Sequence, residues 1–250
     1  MKVEVVSYDP SWPVMFESEA ALIKQALGSN CIAIHHIGST SVSGLSAKPI
    51  IDILPVVKNI LEVDTALVAM ENLGYEAKGE YGIVFRRFFK KGQCHVHVYE
   101  ENDSEISRYL KFRDWMRSHE ADAEAYANLK LELAAKFPSD ILSYCFGKDA
   151  FVAMIDKKDG FEGSRMVQAL TDREWAAVRS LCKDVPSESK DHIHFVFYKN
   201  ADIVGYAHLN LGLEKEAALQ MMVIGKPYRH LGFEEEFSKL CERWLSHQGR

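Results

Sequence analysis

The sequence lacks several patterns that define whole classes of protein. Its five cysteines are scattered and include no Cys-x-x-Cys pair, which argues against a disulfide framework and against a zinc knuckle. No apolar run is long enough to span a bilayer, and the N-terminal segment MKVEVVSYDPSW has no hydrophobic signal core. We therefore expect no membrane partner and a cytoplasmic location.

An excess of positive charge is also missing. The 250 residues include 30 Lys and Arg against 36 Asp and Glu, a formal net charge of −6. This balance does not favour nonspecific binding to a polyphosphate backbone, so no DNA or RNA polymer is expected as a partner. A small phosphorylated ligand, held by a few local cations, remains compatible with it.

A polar segment with two glycines, DKKDGFEGSR at 156–165, interrupts the chain, and the pattern of elements restarts after it. We predict a first domain over 1–156, a linker over 157–164 and a second domain over 165–250. Hydrophobic periodicity predicts helices at 14–27, 64–73, 105–136, 139–146, 148–155, 172–181 and 233–245. It predicts strands at 31–37, 50–57, 82–90, 93–100, 192–198, 203–211 and 218–224.

Residues 35–54, HHIGSTSVSGLSAKPIIDIL, contain a Gly-Ser turn between two apolar segments. Small hydroxyl side chains and free backbone N–H groups at such a turn can bind a phosphate. Asp52 follows in the second apolar segment, where a carboxylate must be paired, hydrogen-bonded or metal-bound to stay ionised. The turn residues that we expect to contact a phosphate are Gly38, Ser39, Thr40 and Ser41.

Two histidines lie on a later predicted strand. Because side chains alternate along a strand, His95 and His97 face the same side, opposite Val96 and Val98. Two imidazoles at this spacing can bind one metal ion or one phosphate, although His-x-His is often only a solvated sheet face. Nearby in sequence, Lys48, Arg86 and Arg87 could supply positive charge.

Several separated motifs resemble the GrpB family over roughly residues 1–156. They are VEVVSYDPSWPVMFESEA, HHIGSTSVSGLSAKPIIDI, HVHVYE and FRDWMRSHEADAEAYANLKLELAAKFPSD. GrpB proteins resemble nucleotidyltransferases of the polymerase-beta kind, which implies an α+β domain with a mixed sheet and a triphosphate at Gly38-Ser39. In that superfamily an Asp-x-Asp/Glu strand and a third carboxylate on a neighbouring strand hold two metal ions.

This chain departs from that pattern. Asp52 stands at the first carboxylate position, Leu54 at the second, and His95 and His97 on the strand of the third. One Asp with two His suits a single transition metal, or none, better than two Mg²⁺ ions. The resemblance thus implies catalytic and metal-binding roles for Asp52, His95 and His97, with a divalent metal as cofactor. It also draws attention to Lys130 and Lys148 in the helical part, which would contact the phosphate or nucleotide if they face the same cleft and would otherwise be solvated helix surface. Lys48 and Arg86 are further candidate contacts because they lie nearby in sequence.

The second domain is similar to GNAT acyltransferases, whose signature is Arg-x-x-Gly-x-Gly/Ala. Arg229 and Gly232 match it and would bind the pyrophosphate of acetyl-CoA, whereas Glu234 opposes that binding. The resemblance implies a smaller α/β domain without its C-terminal strands. An unpaired edge strand there could pair with a second copy of the chain, giving a homodimer.

Three functions follow from these observations. The first is a nucleotidyltransferase-like enzyme that binds a nucleotide or another phosphorylated small molecule at the Gly-Ser turn. The second is acetyl-CoA-dependent acyl transfer by the second domain. The third is a non-catalytic protein that binds a ligand or a partner, which the substitutions at Leu54 and Glu234 favour.

Overall fold

A five-stranded mixed sheet is the framework of the first structural unit, which comprises Met1–Tyr81 and Phe85–Phe161. The computed structural model of the protein describes residues 2–186, 191–211 and 218–248. The strands are β1 (Cys31–Ile37), β2 (Ile51–Val57), β3 (Glu76–Ala77), β4 (Arg87–Lys91) and β5 (Cys94–Glu100). They lie in the order β1-β2-β5-β4-β3, with β2 and β5 parallel and the other neighbours antiparallel. The prediction of an α+β domain with a mixed sheet is confirmed.

Helices of the first unit surround this sheet. They are α1 (Trp12–Leu27), α2 (Leu67–Asn72), α3 (Ser104–Ser118), α4 (Glu120–Lys136), α5 (Ile141–Phe146) and α6 (Asp149–Lys158). The predicted helix over 105–136 is two helices, because His119 between them has φ −126° and ψ 85°, which no helix accommodates. The chain therefore turns at His119, so α4 can return towards the Gly-Ser turn.

The apolar face of α1 fills the core beneath the sheet. Phe16, Ala20, Ile23 and Leu27 recur at helical spacing and are buried with Ile51 and other strand residues. Burial of this face positions β1 and β2, the two strands that flank the turn.

One predicted strand begins too early. The prediction was 82–90, but β4 begins at Arg87, since Tyr81 and Phe85 have positive φ values of 48° and 65°. Extended strand backbone requires negative φ. The hairpin between β4 and β5 forms as expected, with Gly92 in its turn at φ 49°.

The second unit comprises Gly82–Val84 and Glu162–Arg250 and contains a four-stranded antiparallel sheet. Its elements are β6 (Ser164–Gln168), α7 (Asp172–Leu181), β7 (His192–Lys199), β8 (Asp202–Asn210), β9 (Ala218–Ile224) and α8 (Phe233–His247). The strand order is β6-β7-β8-β9. The predictions missed β6, a five-residue strand next to the polar segment.

Only the ends of the segment predicted as a linker, 157–164, lie in regular elements. Its first two residues complete α6, and its last residue begins β6. The boundary between the two units falls after Phe161. In the described ranges no helix is both long and apolar enough to cross a membrane. A cytoplasmic location stays a prediction.

Candidate functional site

Strands β2 and β5 bring Asp52, His95 and His97 together. Asp52 is the register partner of His95 on the neighbouring parallel strand. His97 Nε2 lies 3.3 Å from Asp52 Oδ1, and His95 Nδ1 lies 3.7 Å from the same oxygen. The strand alternation that placed both imidazoles on one face therefore also directs them at one carboxylate.

Arg86 determines the protonation of His97. Its guanidinium Nη1 lies 3.2 Å from His97 Nδ1, and because a guanidinium only donates hydrogen bonds, Nδ1 must accept. The proton of neutral His97 is then on Nε2, which donates it to Asp52. Arg86 thus donates a hydrogen bond to His97, and His97 in turn donates one to Asp52.

The charge states follow from the surroundings. Burial alone would raise the pKa of Asp52, but the hydrogen bond from His97 and the positive charge of Lys148 hold it below its usual value. Burial lowers the pKa of His95 to about 4 and also lowers the pKa of His97. At neutral pH the carboxylate is ionised and both imidazoles are neutral.

This arrangement does not fit the predicted metal site. A histidine binds a metal through an unprotonated nitrogen, and both nitrogens of His97 are engaged, one as donor to Asp52 and one as acceptor from Arg86. Over residues 2–186, 191–211 and 218–248, no group of three or more His, Cys, Asp or Glu side chains is arranged to hold a metal ion. We therefore assign His97 to orienting Asp52. The catalytic roles proposed for Asp52, His95 and His97 stay predictions.

Arg86 also departs from its predicted role as a phosphate contact. The residue is only 5% exposed, and it donates from Nε and Nη2 to the carbonyls of Glu80 and Tyr81, at 3.2 and 2.9 Å. Three of its donors are therefore engaged within the protein, at these two carbonyls and at His97. We reassign it from ligand binding to the support of His97.

The Gly-Ser turn packs directly on Asp52. Gly38 has φ +71°, and a Cβ built on it would meet Asp52 Oδ2 at 2.5 Å. Only glycine meets both conditions, the left-handed backbone and the close approach. The residues that follow, Ser39–Ser41, form a single 3-10 turn.

The three hydroxyl groups of this turn have different partners. Thr40 is 1% exposed, and its Oγ1 donates to the Ile50 carbonyl. Ser41 Oγ donates to the Gly38 carbonyl at 2.6 Å. The Ser41 hydroxyl thus bonds within the turn, and the Thr40 hydroxyl joins the turn to the residue before β2. Neither hydroxyl proton is free for a phosphate, so the predicted phosphate contacts of these two hydroxyls are not supported by the geometry. Ser39 is the half-buried member whose hydroxyl faces the helical part of the unit.

Lys130 reaches Ser39 from α4. Its Nζ donates to Ser39 Oγ at 3.0 Å and to the carbonyl of Ser46, and it lies 4.7 Å from the centroid of the Tyr126 ring. The residue is 2% exposed. Burial first, and then the charge of Lys148, lowers its pKa to about 7.

Two more lysines meet at a neighbouring ring. Lys48 Nζ and Lys148 Nζ lie 4.8 and 4.9 Å from the centroid of Tyr144, distances at which an ammonium is attracted by an aromatic face. Lys48, Lys130 and Lys148 were predicted as ligand contacts from three distant parts of the sequence. Lys130 contacts the turn directly, and burial together with the charge of Lys148 lowers the pKa of both Lys48 and Lys130.

The sequence analysis did not predict two arginines of α3 that donate hydrogen bonds to backbone carbonyls in and next to the turn. Arg117 donates to the Ser41 carbonyl from Nη2 at 2.7 Å, and Arg113 donates to the His36 carbonyl at 3.2 Å. Asp114 pairs with both. The sequence feature that could have indicated this contact is the four-residue spacing of the two arginines in FRDWMR, which places both on one face of the helix.

In the second unit, the predicted coenzyme A residues lie between β9 and α8. Arg229 Nε donates to the Ile224 carbonyl at 3.2 Å. Gly232 has φ +79° and immediately precedes α8, whose first turn carries Glu234, Glu235 and Glu236. Negative side chains there oppose a pyrophosphate. Acetyl-CoA binding and pairing of copies through an edge strand stay predictions.

Comparison with known proteins identifies relatives of the first unit. UPF0157 protein YqkA of Bacillus subtilis is 44% identical over 155 residues, covering 60% of this chain and 45% of YqkA. The chain therefore spans less than half of that relative. The crystal structure of GrpB from Enterococcus faecalis is 44% identical, with a TM-score of 0.60 over 62% of this chain and 96% of that one.

A cytoplasmic RNA terminal U-transferase is a more distant structural match. It is 13% identical, with a TM-score of 0.33 over 60% of this chain and 47% of that one, a likeness too weak to carry a functional conclusion.

The family model described as GrpB protein matches residues 2–158. That range ends before residue 162, where the main part of the second unit begins, so the resemblance of 165–250 to acyltransferases stays a prediction. For the first unit, the separated motifs, the solved relative and the family model agree. The chain belongs to the GrpB family.

Proposed function

We propose that the first unit binds a nucleotide or another small phosphorylated molecule beside Ser39, with Lys48, Lys130 and Lys148 as partners of the phosphate oxygens. One observation carries this proposal. Lys130 donates to the Ser39 hydroxyl and lies over the Tyr126 ring, and Lys48 and Lys148 lie over the Tyr144 ring. None of the ion pairs in the described part of the chain includes these three amines.

Such a cluster needs an anion. Positive groups that are partly or fully removed from water are costly unless a negative partner compensates them. Asp52 supplies one negative charge nearby, which two of the amines, Lys48 and Lys148, share. A phosphate group carries enough charge and enough oxygen atoms to engage several lysines at once, and lysine is a common phosphate ligand.

The resemblance to nucleotidyltransferases supports a nucleotide among the phosphorylated ligands. The proposal is limited to binding, because transfer by two cations needs acidic ligands that clamp the attacking and leaving oxygens. Leu54 and a hydrogen-bonded Asp52 occupy the positions where such ligands are expected.

A thermal-shift panel tests binding. The compounds are the four ribonucleoside triphosphates and monophosphates, triphosphate and inorganic phosphate, each with Mg²⁺ and with EDTA. A ligand at 100 times its Kd stabilises the folded state by about 2.7 kcal/mol. At least one nucleotide should raise the unfolding temperature, and it should do so in EDTA as well.

Matched lysine variants locate the site. Lys148→Gln and Lys48→Gln should each weaken the affinity by about tenfold or more, since each removes a charged partner of the phosphate. The control is Lys158→Gln, because Lys158 pairs with Asp122 and its side chain is 44% exposed. The proposal fails if no compound shifts the wild type, or if all three variants bind alike.

A further inference from the structure

We propose that Ser39 is a nucleophile and Lys130 its general base, and that this pair accepts a phosphoryl group from a small phosphate ester or anhydride. The inference rests on the proposed phosphate site and names a reaction there. It concerns covalent chemistry on the protein rather than the metal-dependent transfer that the nucleotidyltransferase resemblance implies.

The contact between the two side chains has the geometry of an activated nucleophile. Lys130 Nζ lies 3.0 Å from Ser39 Oγ and is also hydrogen-bonded to the carbonyl of Ser46. A nucleophile within hydrogen-bond reach of a base, with the base oriented by a third group, is the arrangement that recurs in covalent catalysis. The Ser46 carbonyl is that third group here.

The surroundings of Lys130 allow it to act as a base. A lysine must lose its proton to accept another, and burial away from carboxylates favours the neutral amine. Lys130 is 2% exposed, and no ion pair of the described residues includes it. Burial and the neighbouring Lys148 lower its pKa to about 7, which suits proton transfer near neutral pH.

Ser39 is distinguished from its neighbours in the turn. The hydroxyls of Thr40 and Ser41 donate to backbone carbonyls, so their protons are already engaged. Ser39 Oγ accepts from Lys130, and its own proton can be donated to the same Nζ once the amine is neutral. Lys148, whose charge acts on Lys130, and Lys48, which lies over the same tyrosine ring as Lys148, would neutralise the oxygens of the transferred group.

The step balances without a redox partner. Ser39 Oγ attacks phosphorus, so an Oγ–P bond forms while the bond from phosphorus to the leaving oxygen breaks. The electron pair goes to the leaving oxygen. The hydroxyl proton passes to Lys130 Nζ and then to the leaving oxygen, which regenerates the neutral amine. The products are phosphoserine at position 39 and an alcohol or a shorter phosphate.

Two probes applied to the full-length protein test this chemistry. The first is a fluorophosphonate, which forms a stable Oγ–P bond with an activated serine and releases fluoride. The second is p-nitrophenyl phosphate, whose release of nitrophenolate is followed by absorbance. Peptide mass spectrometry locates the modified residue in both cases. The variants are Ser39→Ala, Lys130→Arg and the control Ser43→Ala, an exposed serine four residues along the chain.

The expected result is modification of Ser39 by both probes, about tenfold faster at pH 8 than at pH 6 for a base with a pKa near 7. Ser43→Ala should react like the wild type. Lys130→Arg keeps the positive charge but cannot be deprotonated, so it should slow labelling by about 100-fold or more. Circular dichroism shows whether it remains folded.

Several outcomes would overturn the inference. They are no label on Ser39 of the folded wild type, no phosphoserine from p-nitrophenyl phosphate, and equal rates in folded Lys130→Arg and wild type. If Lys130→Arg does not fold, a flat rate between pH 6 and pH 8 in the wild type overturns it instead. The nucleotide panel separates the two proposals, because bound nucleotide without a labelled serine removes only the nucleophile.

Discussion

A Cβ on Gly38 would lie 2.5 Å from Asp52 Oδ2. The Gly-Ser turn and the carboxylate are therefore packed against each other with no room for a side chain between them. Since Ser39 follows Gly38 directly, this contact sets the position of the Ser39 hydroxyl relative to β2. The turn and the carboxylate, two separate features of the sequence, therefore lie directly against each other.

Replacing Gly38 with alanine should destabilise the first unit by roughly 2–4 kcal/mol. The left-handed backbone accounts for about 1–2 kcal/mol, and the collision with Asp52 adds to it. Gly44→Ala is the matched control, since Gly44 has φ +79° with no atom within 4 Å of a built Cβ. Urea unfolding measures both variants. Equal losses would show that the contact with Asp52 contributes nothing.

Replacing Arg86 with methionine should cost about 2–4 kcal/mol. The substitution removes the donor to two carbonyls and to His97 Nδ1 in a residue that is 5% exposed. Its sequence neighbour is the control. Arg87→Met breaks a two-bond ion pair with Asp64, whose side chain is 44% exposed, and should cost less, about 1–2 kcal/mol.

The Arg86→Met variant also tests which ring nitrogen of His97 carries the proton. Nitrogen-15 NMR of the histidine rings should find the His97 proton on Nε2 in the wild type. In Arg86→Met, Nδ1 loses its donor and the two tautomers can exchange. A wild-type proton on Nδ1 would contradict the proposed hydrogen-bonded chain.

Stability should fall as the pH drops from about 6.5 to about 4, partly because of His95. The unfolded chain protonates this histidine below its usual pKa of 6.5, whereas burial holds the folded-state pKa at about 4. The unfolded state therefore binds the extra proton in this window, and unfolding becomes easier by about 1.4 kcal/mol per pH unit.

The substitution His95→Gln should reduce the dependence of the unfolding free energy on pH by the same amount. Urea unfolding at half-unit pH steps from 4.5 to 7 measures it in both proteins. Because the folded pKa is depressed, the contribution is fully present above pH 6.5 and lost on acidification. An unchanged slope in the variant would show that His95 does not stay neutral in the fold.

In the second unit, Thr171→Ala should destabilise by about 1 kcal/mol, and Glu174→Ala by more. Thr171 accepts from the N–H of Glu174 at the start of α7, a typical N-cap contribution. Glu174 accepts from the N–H groups of Leu170 and Thr171 and from the Tyr198 hydroxyl. Glu174 is 6% exposed, and losing its three hydrogen bonds should cost more stability than losing the single hydrogen bond of Thr171. Thermal unfolding gives the order, and the reverse order would contradict it.

Local structure followed closely from local patterns. The predicted strand 31–37 and helix 172–181 have the bounds of β1 and α7, because hydrophobic periodicity depends only on residues within the element that it defines. The break at His119 and the late start of β4 were not predicted. Both depend on single backbone conformations that side-chain periodicity does not encode.

By itself the sequence determined the family, the mixed sheet, the Gly-Ser turn and the face shared by His95 and His97. Tertiary structure alone decided which partners those groups contact. Arg86 donates to His97, His97 donates to Asp52, and Lys130 reaches Ser39 from 91 residues away. The physical reason is that alternation along a strand fixes a side chain's direction, whereas its partner depends on how distant segments pack.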